Sequence, residues 1–268
     1  MFGILGTDAA FANAAGRGGR AKNVLSFIAG DQDMEIYQLS CDGDITIKTI
    51  KNGSEYIDTH ADLEDATIML QCDADTKVSI IGDVTKIVFY NWDDDTGQPV
   101  NITELNVTKC KTLTSLDISW CQNLTSIDLS KNTALTYLVC SYCSALTSLD
   151  LSKNTALSRL ECYSCYALTT LDVSNNTALT YLECGSCSAL TALDLSKNTA
   201  LTYLSCTNCT GLTTISYLAT NSDVSTAVAG AITAADAADG TVYTDSDGAY
   251  YSTIETAANN KGWTIEQL

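Results

Sequence analysis

The chain has little of what most enzymes use for catalysis. It contains one histidine, His60, and one proline in 268 residues, and we find no G-x-S-x-G, Walker or Rossmann signature. His60 lies in a polar stretch with no serine or cysteine motif beside it, which favours a surface histidine over a general base. We therefore predict that the protein is not an enzyme, with no catalytic residue and no cofactor.

Basic residues and long apolar runs are also scarce. Fourteen Lys and Arg face 32 Asp and Glu, so the formal net charge is −18. An acidic surface repels phosphate backbones and anionic lipids, which argues against nucleic acid as a partner. No run approaches the roughly 18 apolar residues of a membrane span, so we predict no membrane insertion. The first twenty residues lack the apolar core and preceding positive charge of a secretion signal, so we expect none.

What the chain has instead is an eleven-residue phrase, Leu-Thr-x-Leu-x-φ-x-x-(Cys/Asn)-x-Ala, in which φ is apolar. Copies follow one another without insertions. They begin at Ile102, Leu113, Leu124, Leu135, Leu146, Leu157, Leu168, Leu179, Leu190, Leu201 and Leu212. Alternate copies differ, so the true period is twenty-two residues, and such a period predicts a solenoid whose coils pack on their neighbours.

Two kinds of half-coil alternate in this array. The Cys-type half-coils carry cysteine at positions 6 and 9 of the phrase and begin at Leu135, Leu157, Leu179 and Leu201. The Asn-type half-coils carry Leu or Val at position 6 and Asn at position 9, and begin at Leu124, Leu146, Leu168 and Leu190. Both kinds contain the strand phrase, so we predict strands on both sides of the solenoid and little or no helix in its coils. Positions 1, 4 and 6 are predicted to point inward.

Position 9 is predicted to close each turn. In the Asn-type half-coils it is Asn132, Asn154, Asn176 and Asn198, and their amides are suited to bond loop backbone that stacking would otherwise leave unsatisfied. A single coil orders too many residues to be stable by itself, so stacking supplies the missing stabilisation.

The array divides the chain into four parts. We predict a Gly/Ala-rich arm over 1–23, a β-rich N-terminal cap over 24–101, the solenoid over 102–222 and an α/β C-terminal cap over 223–268. Caps are needed because the open end of a solenoid is a sheet edge with unpaired backbone.

Alternation predicts short strands in the N-terminal cap. These lie at Val24–Ala29, Glu35–Leu39, Ile45–Ile50, Ala66–Gln71 and Lys77–Ile81, with a turn at Asp42-Gly43-Asp44. The end of the cap matches the repeat phrase as a degenerate first coil, with Val84, Ile87, Phe89 and Trp92 at its inward positions.

The C-terminal cap is predicted to contain two helices and two strands. Ser222 or Asp223 is a suitable N-cap for a helix that places Val224, Val228 and Ile232 on one face. Further along the chain we predict a strand at Thr241–Tyr243, a helix at Tyr250–Asn260 that stops at Gly262, and a last strand at Trp263–Ile265.

The phrase resembles the leucine-rich repeat consensus L-x-x-L-x-L-x-x-(N/C)-x-L over about 120 residues. The resemblance implies a mainly β leucine-rich repeat solenoid with 22-residue coils. The alternating cysteines are similar to the cysteine-ladder subclass, which includes internalin-J-like surface proteins and related proteins of Bacteroidetes and their phages. Position 11 departs from the consensus, because it is usually Ala rather than Leu. The segment Lys261-Gly-Trp-Thr-Ile265 looks like the closing segment of phage-encoded leucine-rich repeat proteins.

Ten of the twelve cysteines fall within the repeat register, and out of context they imitate zinc sites. Pairs with C-x2-C spacing occur at 140/143, 162/165, 184/187 and 206/209, eighteen residues apart, as in zinc ribbons. Each of these cysteines occupies a predicted core position, which favours a packed ladder of free thiols. Zinc binding and disulfides are the alternatives, although stacked strands hold cysteines somewhat too far apart for an unstrained bridge. We predict no metal site.

The outward positions predict two different faces. Position 5 of the Asn-type half-coils is always Asp, which is typical of a solvated surface. In the Cys-type half-coils, by contrast, the residues at positions 3 and 5 vary. The predicted binding face contains Tyr137, Val139, Tyr142, Arg159, Glu161, Tyr163, Tyr181, Glu183 and Tyr203. Tyrosines among charges suit recognition of a protein or a glycan. The alternative is that these tyrosines only pair along the ladder.

These features predict a non-enzymatic binding or structural protein. Our first interpretation is a phage virion component on the head or tail, which presents its repeat face to a glycan or protein of the host surface. The arm, with Arg17, Arg20 and Lys22, would attach it to other virion proteins or to a second copy of the chain in a homo-oligomer. The alternative is a secreted adhesin on the bacterial cell surface, with an extracellular location.

Overall fold

The computed structural model describes residues 24–29, 34–51, 54–64, 66–70, 76–89, 102–218, 222–235, 240–244 and 251–268. The arm over 1–23, Cys72, Trp92 and the acidic segment 93–101 lie outside the described residues. What is predicted for them therefore stays a prediction.

The N-terminal region is an antiparallel sheet. Its strands are β1 (Val24–Ala29), β2 (Met34–Lys51), β3 (Ser54–Ala61), β4 (Ala66–Leu70) and β5 (Thr76–Phe89), and β6 (Ile102–Asn106) pairs with β1. The long strands β2 and β5 form its centre, and their alternate apolar residues pack inward. The strand β3, which is mostly polar and exposed, was not predicted.

The turn predicted at Asp42-Gly43-Asp44 is wrong, because β2 runs through it as a bulge. The register against β5 shifts between Asp42 and Thr46, and Gly43 adopts a φ of 75°, which glycine tolerates without strain. Asp62, which directly follows β3 in the sequence, stabilises the bulge. Its carboxylate accepts the Gly43 N–H at 2.9 Å, and its own N–H donates to the Gly43 carbonyl at 3.1 Å.

The cap continues directly into the solenoid through a parallel ladder, which we call the Cys side. It starts at β5 and runs through β7 (Ser115–Asp117), β8 (Tyr137–Val139), β9 (Arg159–Glu161), β10 (Tyr181–Glu183) and β12 (Tyr203–Ser205). Ile87 is paired with Leu116, and Val84, Ile87 and Phe89 are fully buried, which is the register that a degenerate first coil requires. Each later pair is displaced by one full coil of 22 residues, as in Leu138 with Leu160.

The interior of the solenoid follows the repeat phrase. Positions 1, 4 and 6 are buried in every copy from 102 to 217, as is position 9 in every described copy. Positions 2 and 3 face outward, and a hydroxyl at position 2 bonds the same position of the preceding coil, as when Thr180 donates to the Ser158 carbonyl at 3.1 Å. The inward and outward pattern is therefore the one that the repeat predicts.

The opposite face, the Asn side, departs from the prediction of strands on both sides. Among the described coils of this side, only β11 (Ala192–Asp194) and β13 (Thr214–Tyr217) pair as strands, with a single bridge between Asp150 and Asp172. Pairing requires the N–H at position 6 to reach the carbonyl at position 5 of the next coil. Cys140 makes this bond to Glu161 at 2.7 Å on the Cys side, and Leu195 makes it to Ser216 at 2.6 Å on the Asn side, where the strands form.

The C-terminal cap closes the other end. Its elements are α1 (Ser222–Ala234), β14 (Thr241–Thr244), α2 (Tyr251–Lys261) and β15 (Thr264–Gln267), and the two strands extend the sheet from β13. Val224, Val228 and Ile232 of α1 are buried. Helix α2 ends before Gly262, which has a φ of 82°. Gly240 lies beneath the Trp263 ring, where an added Cβ would stand 2.3 Å from a ring atom.

Candidate functional site

The cysteines are internal and act as backbone donors. The thiols of Cys143, Cys165, Cys187 and Cys209 at position 9 each donate to the carbonyl at position 6 of the preceding coil on the Cys side, over 3.0–3.1 Å. The Asn side uses the same geometry. The Asn176 amide donates to the Leu151 carbonyl at 3.2 Å and also to the Asn154 carbonyl at 2.8 Å. The predicted role of the asparagines is thus confirmed, and the cysteines share it.

The pKa values of the buried thiols are mostly raised. Burial raises the pKa of Cys110 to about 11 and also raises that of Cys121 and Cys143, whereas the hydrogen bond with Cys184 lowers the pKa of Cys209. The eleven described cysteines are free and buried. No group of three or more His, Cys, Asp or Glu suited to a metal ion occurs within the described ranges. The geometry is therefore that of a packed thiol ladder.

The outward side chains of position 3 form a continuous stack along the Cys side. The guanidinium of Arg159 lies 3.7 Å from the centre of the Tyr181 ring and 5.6 Å from that of Tyr137. On its other face, Tyr181 stacks on Tyr203 with ring centres 4.2 Å apart and planes 8° apart. The tyrosines therefore do pair along the ladder, as the alternative to a binding face predicts. Tyr203 is the most exposed ring of the stack, at 42%.

Position 5 carries the acids that hold this stack. Arg159 donates to Glu161 at 2.6 Å, and Glu161 also accepts from the Tyr137 hydroxyl at 3.2 Å. Glu183 accepts from the Tyr181 hydroxyl at 3.1 Å. Burial, followed by the charge of Glu161, raises the pKa of Tyr137, so its hydroxyl stays protonated and able to donate.

Beside the stack is a concavity that we call the aromatic cleft. Its volume is about 500 Å³, within the range of small ligand sites. It is lined by Asp117, Ser119, Trp120, Tyr137, Val139, Ser141, Tyr142, Glu161, Tyr163 and Glu183. Six of the nine predicted binding residues are among these, while Arg159, Tyr181 and Tyr203 belong to the stack. Val139 forms part of the floor and is only 5% exposed, because larger side chains surround it.

The wall of the cleft consists of stacked aromatic rings. Trp120 and Tyr142 lie parallel with ring centres 3.9 Å apart, and Tyr163 meets Tyr142 edge-on at 5.5 Å. Trp120 and Tyr142 occupy position 8, where every described copy on the Cys side has a positive φ; theirs are 66° and 62°. Bulky residues rarely adopt this conformation, which costs roughly 1–2 kcal/mol.

Sequence reasoning missed Trp120 and Asp117. Both belong to the copy that begins at Leu113, which carries cysteine at position 9 but isoleucine at position 6 and so was not grouped with the Cys-type half-coils. The register was the available signal, because position 8 of this copy aligns with Tyr142. Burial raises the pKa of Asp117, although hydrogen bonds from Ser119 partly oppose the shift.

His60 lies in the N-terminal cap, on β3. Its Nε2 is 3.0 Å from the Asp58 carboxylate, and its side chain is partly exposed. In the described part of the chain, neither helix is long and apolar enough to cross a membrane.

Comparison with known proteins bears on the repeat. A family model described as "Leucine Rich repeat" matches residues 109–122. No curated protein matches the chain significantly. Together with the 22-residue coils and their buried leucines, the family match identifies the fold: a mainly β leucine-rich repeat solenoid with a β-rich N-terminal and an α/β C-terminal region.

Three solved structures from Listeria monocytogenes show similarity to this chain. Internalin C2 is 16% identical, with a TM-score of 0.31 over 69% of this chain and 80% of its own. The functional domain of InlJ, which includes a cysteine ladder, is 22% identical, with a TM-score of 0.23 over 74% of this chain and 56% of its own. Internalin InlF is 18% identical, with a TM-score of 0.26 over 69% and 66%. These matches lend no support to the resemblance to proteins of Bacteroidetes and their phages.

Proposed function

We propose that this chain is a non-enzymatic binding module whose recognition surface is the outward face of the Cys side. The observation that carries the proposal is the contrast between the two faces of one solenoid. On the Asn side, position 5 repeats Asp128, Asp150, Asp172 and Asp194, and each carboxylate accepts the N–H two residues on. On the Cys side, the same position varies, and its first four residues line the aromatic cleft: Asp117, Val139, Glu161 and Glu183, followed by Ser205 outside the cleft.

Ladder packing alone does not require such variation. The Asn side shows that a repeated outward sequence is compatible with the same buried core. Aromatic side chains with polar tips, held by neighbouring carboxylates, offer a large rigid surface at low entropic cost to a protein or glycan partner. The Tyr–Arg–Tyr–Tyr stack and the aromatic cleft together are this surface.

For the setting, we favour a secreted bacterial adhesin over the virion component of our first interpretation. The match to leucine-rich repeats is consistent with a binding protein of either kind, and apart from the closing segment Lys261–Ile265, nothing in the described part of the chain points to a phage particle. Attachment through the arm to virion proteins or to a second copy rests on sequence alone. Immunodetection on intact cells, in culture supernatant and in purified phage preparations separates these settings.

The recognition surface can be tested by removing its rings. The full chain is applied to arrays of host-surface glycans and to intact candidate cells, beside the double variant Tyr181→Ser/Tyr203→Ser. A control double variant, Thr170→Ser/Ala192→Ser, changes position 3 of two half-coils on the Asn side. Circular dichroism confirms that both variants fold.

We expect the tyrosine variant to lose at least tenfold in binding and the control to bind like the parent chain. Equal binding by all three proteins would remove this face from consideration.

A further inference from the structure

The aromatic cleft contains an excess of negative charge. Asp117, Glu161 and Glu183 line it, and no lysine or arginine is among its described lining residues. Glu161 is paired with Arg159 at 2.6 Å. Asp117 is held by the N–H and hydroxyl of Ser119 at 2.9 and 2.6 Å, and Glu183 by the Tyr181 hydroxyl. These donors are neutral, so two carboxylate charges remain uncompensated by the contacts described.

The two residues of the aromatic wall, Trp120 and Tyr142, have a left-handed backbone conformation that is strained for bulky side chains. Later coils place Ser164, Ser186 and Asn208 at the same left-handed position. The coil therefore does not require an aromatic ring there. Trp120 and Tyr142 nevertheless occupy it in two of the four coils that line the cleft, and strain of this kind is found where a site depends on the side chain.

The molecule already contains an example of the chemistry that fits such a site. Next to the cleft, the Arg159 guanidinium carbon lies 3.7 Å from the centre of the Tyr181 ring, and the same guanidinium donates to the Glu161 carboxylate. A guanidinium is planar, stacks on aromatic faces and pairs with carboxylates, which makes a tyrosine beside a glutamate a suitable receptor for it. The cleft offers the same combination of rings and carboxylates without its own cation.

We propose that the aromatic cleft receives an arginine side chain from a partner protein. The guanidinium would lie against the Trp120–Tyr142 wall and pair with Asp117, which is in the same coil as Trp120. The proposal rests on the function proposed above, since it assumes that the Cys side is the recognition surface, and it specifies the partner's chemistry. The net charge of −18 favours a basic segment through long-range attraction.

The test uses a capped tripeptide, acetyl-Gly-Arg-Gly-amide, as the probe. Its counterpart contains citrulline, which has nearly the same shape as arginine but no charge. Each is titrated into the ¹⁵N-labelled full chain, and the indole N–H signal of Trp120 is followed by NMR, assigned through Trp120→Phe. We expect a saturable shift with the arginine peptide and at least a tenfold weaker response to the citrulline peptide.

Two matched variants locate the site. Both Asp117 and Asp150 are at position 5, on the Cys and Asn sides respectively, and each accepts the N–H two residues on. We expect Asp117→Asn to weaken the binding of the arginine peptide roughly threefold to tenfold, and Asp150→Asn to leave its affinity unchanged. An equal response to both peptides, no response to either, or equal effects of the two variants would overturn the arginine site. If any of these results occurs while Tyr181→Ser/Tyr203→Ser still abolishes partner binding, the proposed function stands. Only the proposal that the cleft binds arginine then fails.

Discussion

The thiol of Cys165 donates a hydrogen bond to the carbonyl oxygen of Cys140 across 3.1 Å. Twenty-five residues separate them, the same separation at which Asn176 reaches Leu151 on the other side of the solenoid. Cysteine and asparagine at position 9 therefore have the same role. Each supplies a buried hydrogen-bond donor to the carbonyl at position 6 of the preceding coil. Cysteine has this role in addition to packing.

Replacement of Cys165 should distinguish the donor from the packing role. Cys165→Val keeps a small apolar side chain but leaves the Cys140 carbonyl without this donor, so we expect a loss of about 1–3 kcal/mol in the free energy of unfolding. Cys162→Val is the control, since position 6 carries Leu or Val in the Asn-type half-coils. In urea unfolding, Cys162→Val should lower the free energy of unfolding by less than half as much as Cys165→Val. Similar losses would mean that both cysteines act by packing alone.

Replacement of asparagine by cysteine at position 9 should be partly tolerated. Asn176→Ala removes donors to two buried carbonyls and should cost about 2–4 kcal/mol. Asn176→Cys restores one donor, so its loss should fall between those of the alanine variant and the parent. The chain itself makes this substitution once, with Cys110 at position 9 of an Asn-side copy. A cysteine variant no more stable than the alanine variant would contradict the equivalence.

The left-handed position predicts a stabilising glycine. Ser186 has a φ of 58°, so Ser186→Gly removes backbone strain, offset in part by greater freedom of the unfolded chain. We expect thermal and urea unfolding to show a gain of about 0.5–1 kcal/mol. Ser188→Gly, two residues further at an ordinary φ, should instead lose about the same amount. A loss in both variants would argue against strain at position 8.

The buried thiols predict instability at high pH. Because the folded pKa of Cys110 is raised from 9.0 to about 11, its contribution is complete below pH 9 and is lost as the pH rises through 11. The free energy of unfolding should therefore fall across this window. In Cys110→Val the fall should be shallower, although the other buried thiols still contribute. Urea midpoints at pH 8, 9, 10 and 11 measure both slopes; parallel slopes would exclude a contribution from Cys110.

The interior of the solenoid was predictable because its repeat leaves few choices. A residue such as Leu160 recurs with the same neighbours in each coil, so its burial follows from the period alone. The N-terminal cap has no such repetition. Its bulge at Gly43 depends on a carboxylate, Asp62, that is distant in sequence, so local pattern indicated a turn instead. The Asn side was overpredicted because strand pairing depends on hydrogen bonds between neighbouring coils, which a sequence phrase does not encode.

The candidate site was predicted in outline. Alternation placed Tyr181 and Glu183 on the outward face, and both are found there. The stacking of Arg159 on Tyr181 and the concavity next to Trp120 arise from side-chain geometry between coils. They required the structure.

The side-chain hydrogen bonds described at position 9 each join one coil to the coil before it, and this makes the length of the molecule adjustable. Excision of 157–178 would join Ala156 to Leu179 with the phrase intact, and the Asn198 amide would then face the Leu151 and Asn154 carbonyls in place of Val173 and Asn176. Gain or loss of whole coils would thus change the span between the two ends in steps of about 4.8 Å. The same two caps would therefore fit solenoids of different length.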